Sequence, residues 1–212
     1  MRFPWNVLGG SNEKHILEGG MALISLASEA NRMLIDVIKG SNNITAIKEV
    51  ECKADVEVFE ASNAITSGAV APNLIDDLMR FMDLEEGIVD TIFNLSRAIA
   101  RYRPKSRGVR KYITSMLLEL SSLIEEELSL LYKMHQVTTI AEAAEIRKKI
   151  EHLEQKGDLI KDAMIDYAYK SKSTDFKSFY YVQNVAYLAD DIMDGCEDTS
   201  DMILSIMRSI LT

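Results

Sequence analysis

The sequence predicts an all-α fold of six long helices arranged as two repeats of three, on three observations. Apolar residues recur at three- and four-residue spacing over most of the chain, helix breakers are few (three Pro and ten Gly in 212 residues), and short acidic motifs recur in the same order in both halves. A composition of 47% apolar and 27% charged residues is that of an ordinary globular chain, long enough for one or two domains with a good core.

After a short arm containing Phe3 and Trp5, the first helix is expected from Ser11 or Asn12 to Ile38, with Leu17, Met21, Ile24, Ile35 and Ile38 facing inward. Gly40-Ser41-Asn42-Asn43 ends it. The second helix carries Ile44, Ile47, Val50, Ala54, Val58, Ala61 and Ile65 on its buried face and stops at Gly68. Pro72 suits the first turn of the third, where a helix leaves its N–H groups unbonded anyway, and this helix runs to about Tyr102.

The polar stretch from Arg103 to Gly108 reads as a connection between halves, placing the first repeat at 1–104 and the second at 105–212, packed as one compact helical unit. The fourth helix is expected from about Val109 to His135. Thr139 and Glu142 have capping-box spacing and open the fifth, which ends near Lys170. After a turn at residues 171–175 the sixth helix buries Phe179, Val182, Ala186, Ala189, Met193, Cys196, Ile203, Met207 and Ile210.

A net charge of −9 argues against non-specific nucleic-acid binding, which needs a basic footprint, and favours cations or basic partners. Two cysteines, Cys52 and Cys196, are too few for a disulfide framework, and Arg2-Phe3-Pro4-Trp5 leads into a polar segment instead of a signal-peptide core. Charges interrupt every apolar segment well short of a membrane span. These features predict reduced thiols in a cytoplasmic protein.

The most acidic stretch, Asp190 to Asp201, holds six carboxylates in twelve residues and lies in a run without Lys or Arg between Lys177 and Arg208. Asp190, Asp194 and Asp198 form a like-charge ladder along one helix edge, at a cost of roughly 0.2–0.5 kcal/mol per pair that a bound cation would offset. The repeat places this stretch in register with others. Glu51 and Asp55 correspond to Glu154 and Asp158 at an offset of 103, and Glu86 and Asp90 to Asp190 and Asp194 at an offset of 104. Each Asp in second position follows a core residue, so the pairs flank the apolar stripe and face a neighbouring helix. Two four-carboxylate sites are expected, one between helices 2 and 3 and one between helices 5 and 6. Asp198 aligns with no acid in helix 3 and is at best an auxiliary ligand, while Asp191, Glu197 and Asp201 read as solvated surface.

Oxygen donors without a Cys or His framework suit Mg, Ca, Mn or iron, not structural zinc. Crowded carboxylates also hold protons more tightly until a cation enters. A ferritin-like site needs Glu-x-x-His pairs, but Asn12, Tyr132 and Lys149 precede His15, His135 and His152 by three, so these histidines read as surface or helix-end residues. No phosphate-binding glycine loop, nucleophile elbow or H-E-x-x-H is present. Cys52 and Cys196 read as small buried or half-buried residues, with a minor ligand role left open by their nearness to the acid pairs, and Met79, Met82, Met193 and Met207 as core.

Seven basic residues, Arg97, Arg101, Arg103, Lys105, Arg107, Arg110 and Lys111, surround the central break. The simpler reading is favourable charge at the C-terminus of helix 3 plus solvated loop. The functional one is a docking patch for an acidic partner, anionic lipid or phosphate.

The repeated acid pairs, on helices 2 and 3 and again on 5 and 6, resemble those of the PhoU-like family. They are most similar to its short archaeal and bacterial branch, often encoded beside a PiT-type inorganic-phosphate transporter. The likeness runs from about Asn12 to Ile210. It implies two tandem three-helix bundles carrying multinuclear clusters of iron or another transition metal, held by Glu51, Asp55, Glu86 and Asp90 in one and Glu154, Asp158, Asp190 and Asp194 in the other. It further implies a non-catalytic adaptor that modulates phosphate uptake by contacting a PiT-type membrane phosphate transporter or its signalling machinery, peripherally at the inner face of the membrane; a homo-oligomer is compatible with this. Two departures stand out: Pro72 leads into Asn73-Leu74-Ile75-Asp76-Asp77, where the family often has an Arg beside the acids, and the last pair begins with Asp190 instead of a Glu. The other readings are a carboxylate-metal hydrolase or oxidase, and a helical interaction module without metal.

Overall fold

The computed structural model of the protein describes residues 11–67 and 72–211, so the arm with Phe3 and Trp5 and the expected stop at Gly68 lie outside the described residues. Six helices and no strand are present among these: α1 (Ser11–Lys39), α2 (Ile44–Ser67), α3 (Ile75–Arg101), α4 (Arg107–Met134), α5 (Ile140–Lys170) and α6 (Phe176–Leu211). None is long and apolar enough to cross a membrane.

Local chemistry sets the helix ends. Gly40, at φ 112°, closes α1 by donating its N–H to the Val37 carbonyl while Ser41 donates to Asp36, the paired bonds of a Schellman turn. Pro72 starts a single tight turn, Pro72–Leu74, and the α-helix proper begins only at Ile75, where Leu74 supplies no side-chain cap and Asp76 and Asp77 complement the positive helix end. Ser106 accepts a hydrogen bond from the Val109 N–H, so α4 begins two residues before the expected Val109. Thr139 caps α5 as its spacing predicts, accepting from the Glu142 N–H at 3.2 Å. Its hydroxyl also donates to the Glu142 carboxylate at 3.0 Å.

The helices form two tandem three-helix bundles. Within the first, α1, α2 and α3 pack on one another; within the second, α4, α5 and α6 do. The bundles are joined by α1 against α4 and α3 against α6, so helices that correspond in the repeat pair across the middle. The expected inward faces of α2 and α6 are buried or half-buried as read. On α1 the phase differs slightly: Leu23, Ala27, Ala30 and Leu34 are fully buried, while Leu17, Met21 and Ile35 are only half-buried.

Two buried polar contacts fix the α1–α4 junction. Asn31 donates from Nδ2 to the Ser121 carbonyl at 3.0 Å, and the Ser121 hydroxyl donates back to Asn31 Oδ1 at 2.9 Å. Further along, His135 Nε2 lies 2.7 Å from Glu85 Oε1, with both side chains fully buried. The helix-end position expected for His135 is correct, but the residue is core instead of surface. Its Nδ1 contacts the Leu131 carbonyl at 2.8 Å, which aims Nε2 at Glu85. Burial raises the Glu85 carboxyl above its ordinary value, the His135 charge opposing; burial lowers His135, and Glu85 more than reverses this. Burial thus prevails at Glu85, and the partner's charge prevails at His135.

Gly20 on α1 is the third party to this contact. A Cβ there would lie 2.8 Å from Glu85 Oε2 and 2.9 Å from His135 Nε2. Gly20→Ala gains helix propensity worth about 1 kcal/mol, yet overpacking of a buried ionic pair outweighs it. The variant is expected to be about 1–3 kcal/mol less stable in urea unfolding; equal or higher stability would show that the pair moves aside freely.

Candidate metal centre

In the first bundle α2 presents Glu51 and Asp55 one turn apart, and the donor atoms of Glu51, Cys52 and Asp55 lie within 4.8 Å of one another. Among the described residues this is the one such group of three or more. Glu51 is buried, while Cys52, expected to be buried or half-buried, is exposed like Asp55. The reason is phase: Val50, Glu51 and Ala54 lie on the inward side of α2, so Cys52 falls on the outer side. From α3, Glu86 is half-buried; its carboxyl is raised by burial and then by the charges of Asp90, Asp55 and Glu51. The four residues expected to form the first site thus act on one another electrostatically across the α2–α3 groove. Asp90 is also half-buried and accepts from Asn94 at 3.0 Å.

Lys48 stands within this group. Its ammonium lies 2.6 and 2.5 Å from the two Glu51 oxygens and 5.2 Å from the centre of the Phe93 ring on α3, so it neutralises the buried acid while bridging the helices.

The second bundle places its four acids differently. Lys161 on α5 donates to Asp158 and to Asp190 Oδ2, the latter at 2.7 Å, and so ties α5 to α6 with an internal cation. Burial disfavours the Lys161 charge, but its bonds to Asp158 and Asp190 outweigh this and raise its pKa. Asp190 is 6% exposed, and burial raises its carboxyl despite Lys161. Asp194 is exposed yet also raised, by burial and then by Asp158, Asp191 and Asp198, against the lowering effect of Lys161. Glu154 reaches about 7 through burial and the charges of Asp158, Glu197 and Asp194. Crowding is therefore present in both halves, with a lysine among the acids in each.

Several residues of the second cluster escaped the sequence reading. Glu127 on α4 is fully buried, and neither carboxyl oxygen has a well-aligned hydrogen-bond partner among the described residues. Its pKa rises to about 9 through burial and the charge of Glu154, against a lowering contact with the Cys196 thiol; Glu197 and Asp194 raise it further. Arg147 on α5 pairs with Glu151, Glu197 and Asp201, so Glu197 and Asp201, expected as solvated surface, belong to an ionic network on the α5–α6 face. Asp191 is exposed as expected, and Asp198, the auxiliary ligand candidate, is exposed as well. A signal for the buried acids exists in the sequence. Glu127 continues the apolar stripe of Ile124, Leu128 and Leu131, and Glu85 sits between Phe81 and Ile88 at helical spacing.

The donor chemistry fits a metal better in the first half. Two carboxylates with a thiolate-capable sulfur suit a borderline ion such as iron more than Mg or Ca, and the Glu86 carboxyl senses Glu51 and Asp55 from across the groove. In the second half Lys161 engages Asp158 and Asp190, and the orphaned Glu127 carboxyl lies close enough to sense Glu154 and Asp194.

Fold and site together define an all-helical protein bearing paired carboxylate clusters on its helix seams. Compared with models of known families and with curated proteins, the chain matches none.

Glu127 ties stability to pH. Below about 4.5 it is neutral in both the unfolded and folded chains; as pH rises toward 9 only the unfolded chain ionises it, and stability falls. In metal-free protein Glu127→Gln is expected to be the more stable form, by a margin that grows about 1 kcal/mol per pH unit through the neutral range in denaturant titrations; a margin independent of pH would contradict the assignment. Lys161→Met removes the cation from buried Asp190 and is expected to cost about 1–3 kcal/mol at neutral pH. The loss should shrink as protons neutralise the cluster in mild acid, and an unchanged melting profile would show that Lys161 contributes nothing to the seam.

Proposed function

We propose that the protein is a cytoplasmic metal-binding regulator of the PhoU-like kind, a non-catalytic adaptor that modulates inorganic-phosphate transport by docking on a PiT-type membrane transporter or its signalling partner. The observation that carries this reading is the compact donor group of Glu51, Cys52 and Asp55 on an outer helix, facing Glu86 across the groove. Once Lys48 releases Glu51, Glu51, Cys52, Asp55 and Glu86 would hold the ion, with Asp90 beside them, and its charge would relieve the repulsion among these acids. In the second bundle Glu154, Asp158, Asp190 and Asp194 would form the companion site once Lys161 gives way.

Exposed apolar side chains beside both clusters support the docking part. Val56 is 54% exposed and Leu159 is 70% exposed, and they hold the same repeat position, each directly after the Asp of its pair; Phe59 lies one turn beyond Val56. Large exposed apolar residues repeated beside charged sites suit a partner surface better than solvent.

Metal content of protein purified without chelators tests the first part. Bound transition metal is expected, reduced about tenfold or more per chain by Glu51→Gln combined with Asp55→Asn. A chain that carries no metal, and whose stability ignores added iron or manganese, would sink the metal reading. Affinity capture from native membranes tests the second: a phosphate permease is expected, with recovery lowered by Val56→Glu and Leu159→Glu. Phosphatase or oxidase turnover by the metal-loaded protein would overturn the non-catalytic role in favour of a carboxylate-metal enzyme.

A further inference from the structure

The basic residues around the central connection do not spread over solvent. Arg103, Arg107, Arg110 and Lys111 join Lys39 from the end of α1 around one cavity of about 390 Å³, and no Asp or Glu lines it. In a chain of net charge −9, five cations around one concavity is a marked local reversal of sign. Among the described residues none of the five forms an ion pair.

Helix-end stabilisation accounts for only part of this arrangement. Lys39 lies in the last turn of α1, and the Arg103 guanidinium lies so close to Gly40 that a Cβ there would be 2.7 Å from Nη2. Both therefore complement the negative end of that helix. Arg107, Arg110 and Lys111 occupy the opposite situation. They stand at the start of α4, whose first turn holds no acid, where the helix end is itself positive and cations are unfavourable. Three such charges beside a cavity already holding two oppose folding stability, so a ligand that neutralises them explains their placement better than the fold does. The cavity also has an apolar floor from Ile38, Ile99 and Ile113.

We propose that this cavity binds a multiply charged, phosphate-bearing anion. Three arginines offer the forked donors that phosphate oxygens accept in pairs, and the lysines add point charge. The volume leaves room for more than a lone phosphate, and the apolar floor suits an attached organic moiety. Such a group is offered either by a free phosphorylated metabolite or by an anionic lipid headgroup. The site is distinct from the carboxylate clusters: Ile99 lies two and a half turns beyond Asp90 on α3, about 14 Å along the axis.

Two binding measurements on the full chain, both with EDTA present, test the proposal. EDTA keeps metal on the carboxylates from recruiting phosphate, so the result does not depend on the metal reading. Calorimetric titration uses inorganic pyrophosphate, and co-sedimentation uses phosphatidylglycerol vesicles against phosphatidylcholine vesicles. Saturable binding is expected in at least one arm, weakened about tenfold or more by Arg107→Gln with Arg110→Gln and steeply reduced by salt. Both arginines are exposed, so this variant should fold as the parent does. Lys148→Gln with Lys149→Gln on α5 serves as the control and should leave binding intact. Binding of pyrophosphate alone assigns a soluble ligand, and binding of anionic vesicles alone a lipid headgroup. No saturable binding in either arm, or equal loss in the control variant, would overturn the site.

Discussion

Carboxylates held within a few ångströms of one another repel unless something neutralises them, and much of this structure follows from how that repulsion is met. The chain uses three means. Lysines do it at the seams, with Lys48 on Glu51 and Lys161 between Asp158 and Asp190. In the interior a proton does it at Glu127, and His135 does it beside Glu85. Solvent does it for Asp55 and Asp194, which stay exposed. A seam balanced by one lysine, among acids whose crowding favours their protonated form, is one that an incoming cation can rearrange without unfolding the bundle, because the acids are already gathered.

The fold was largely legible because periodicity reports burial directly. Val182, Ala186, Ala189, Met193 and Cys196 recur at helical spacing and are all buried on α6. Helix ends were read less well where the deciding interaction is local and subtle. Nothing in the spacing of Pro72-Asn73-Leu74 says that a tight turn precedes the α-helix, and the start of α4 depends on a single hydroxyl, that of Ser106.

The acid pairs were legible as pairs, since a repeat with two offsets marks Glu51, Asp55, Glu86 and Asp90 against their counterparts. Their neutralisation was not. Lys161 is three residues from Asp158 and could be suspected locally, but its bond to Asp190 crosses 29 residues and belongs to helix packing. Glu85, Glu127 and His135 lay on apolar stripes, where a charged residue is an anomaly; their partners come from other helices, which one-dimensional spacing does not show.

The buried pair of Asn31 and Ser121 and the contact of Gly20 with Glu85 and His135 have a bearing on assembly. Because corresponding helices face one another across the middle, the two halves meet much as two copies of one subunit would. The polar pairing is nonetheless unlike on the two sides. A first repeat offered to a copy of itself would bring Asn31 and Glu85 without Ser121 or His135 to answer them, leaving desolvated groups unmatched. The interior thus carries an address that directs each half to the other half of its own kind of chain, and makes helix-for-helix exchange between like halves a poor competitor during folding at high concentration.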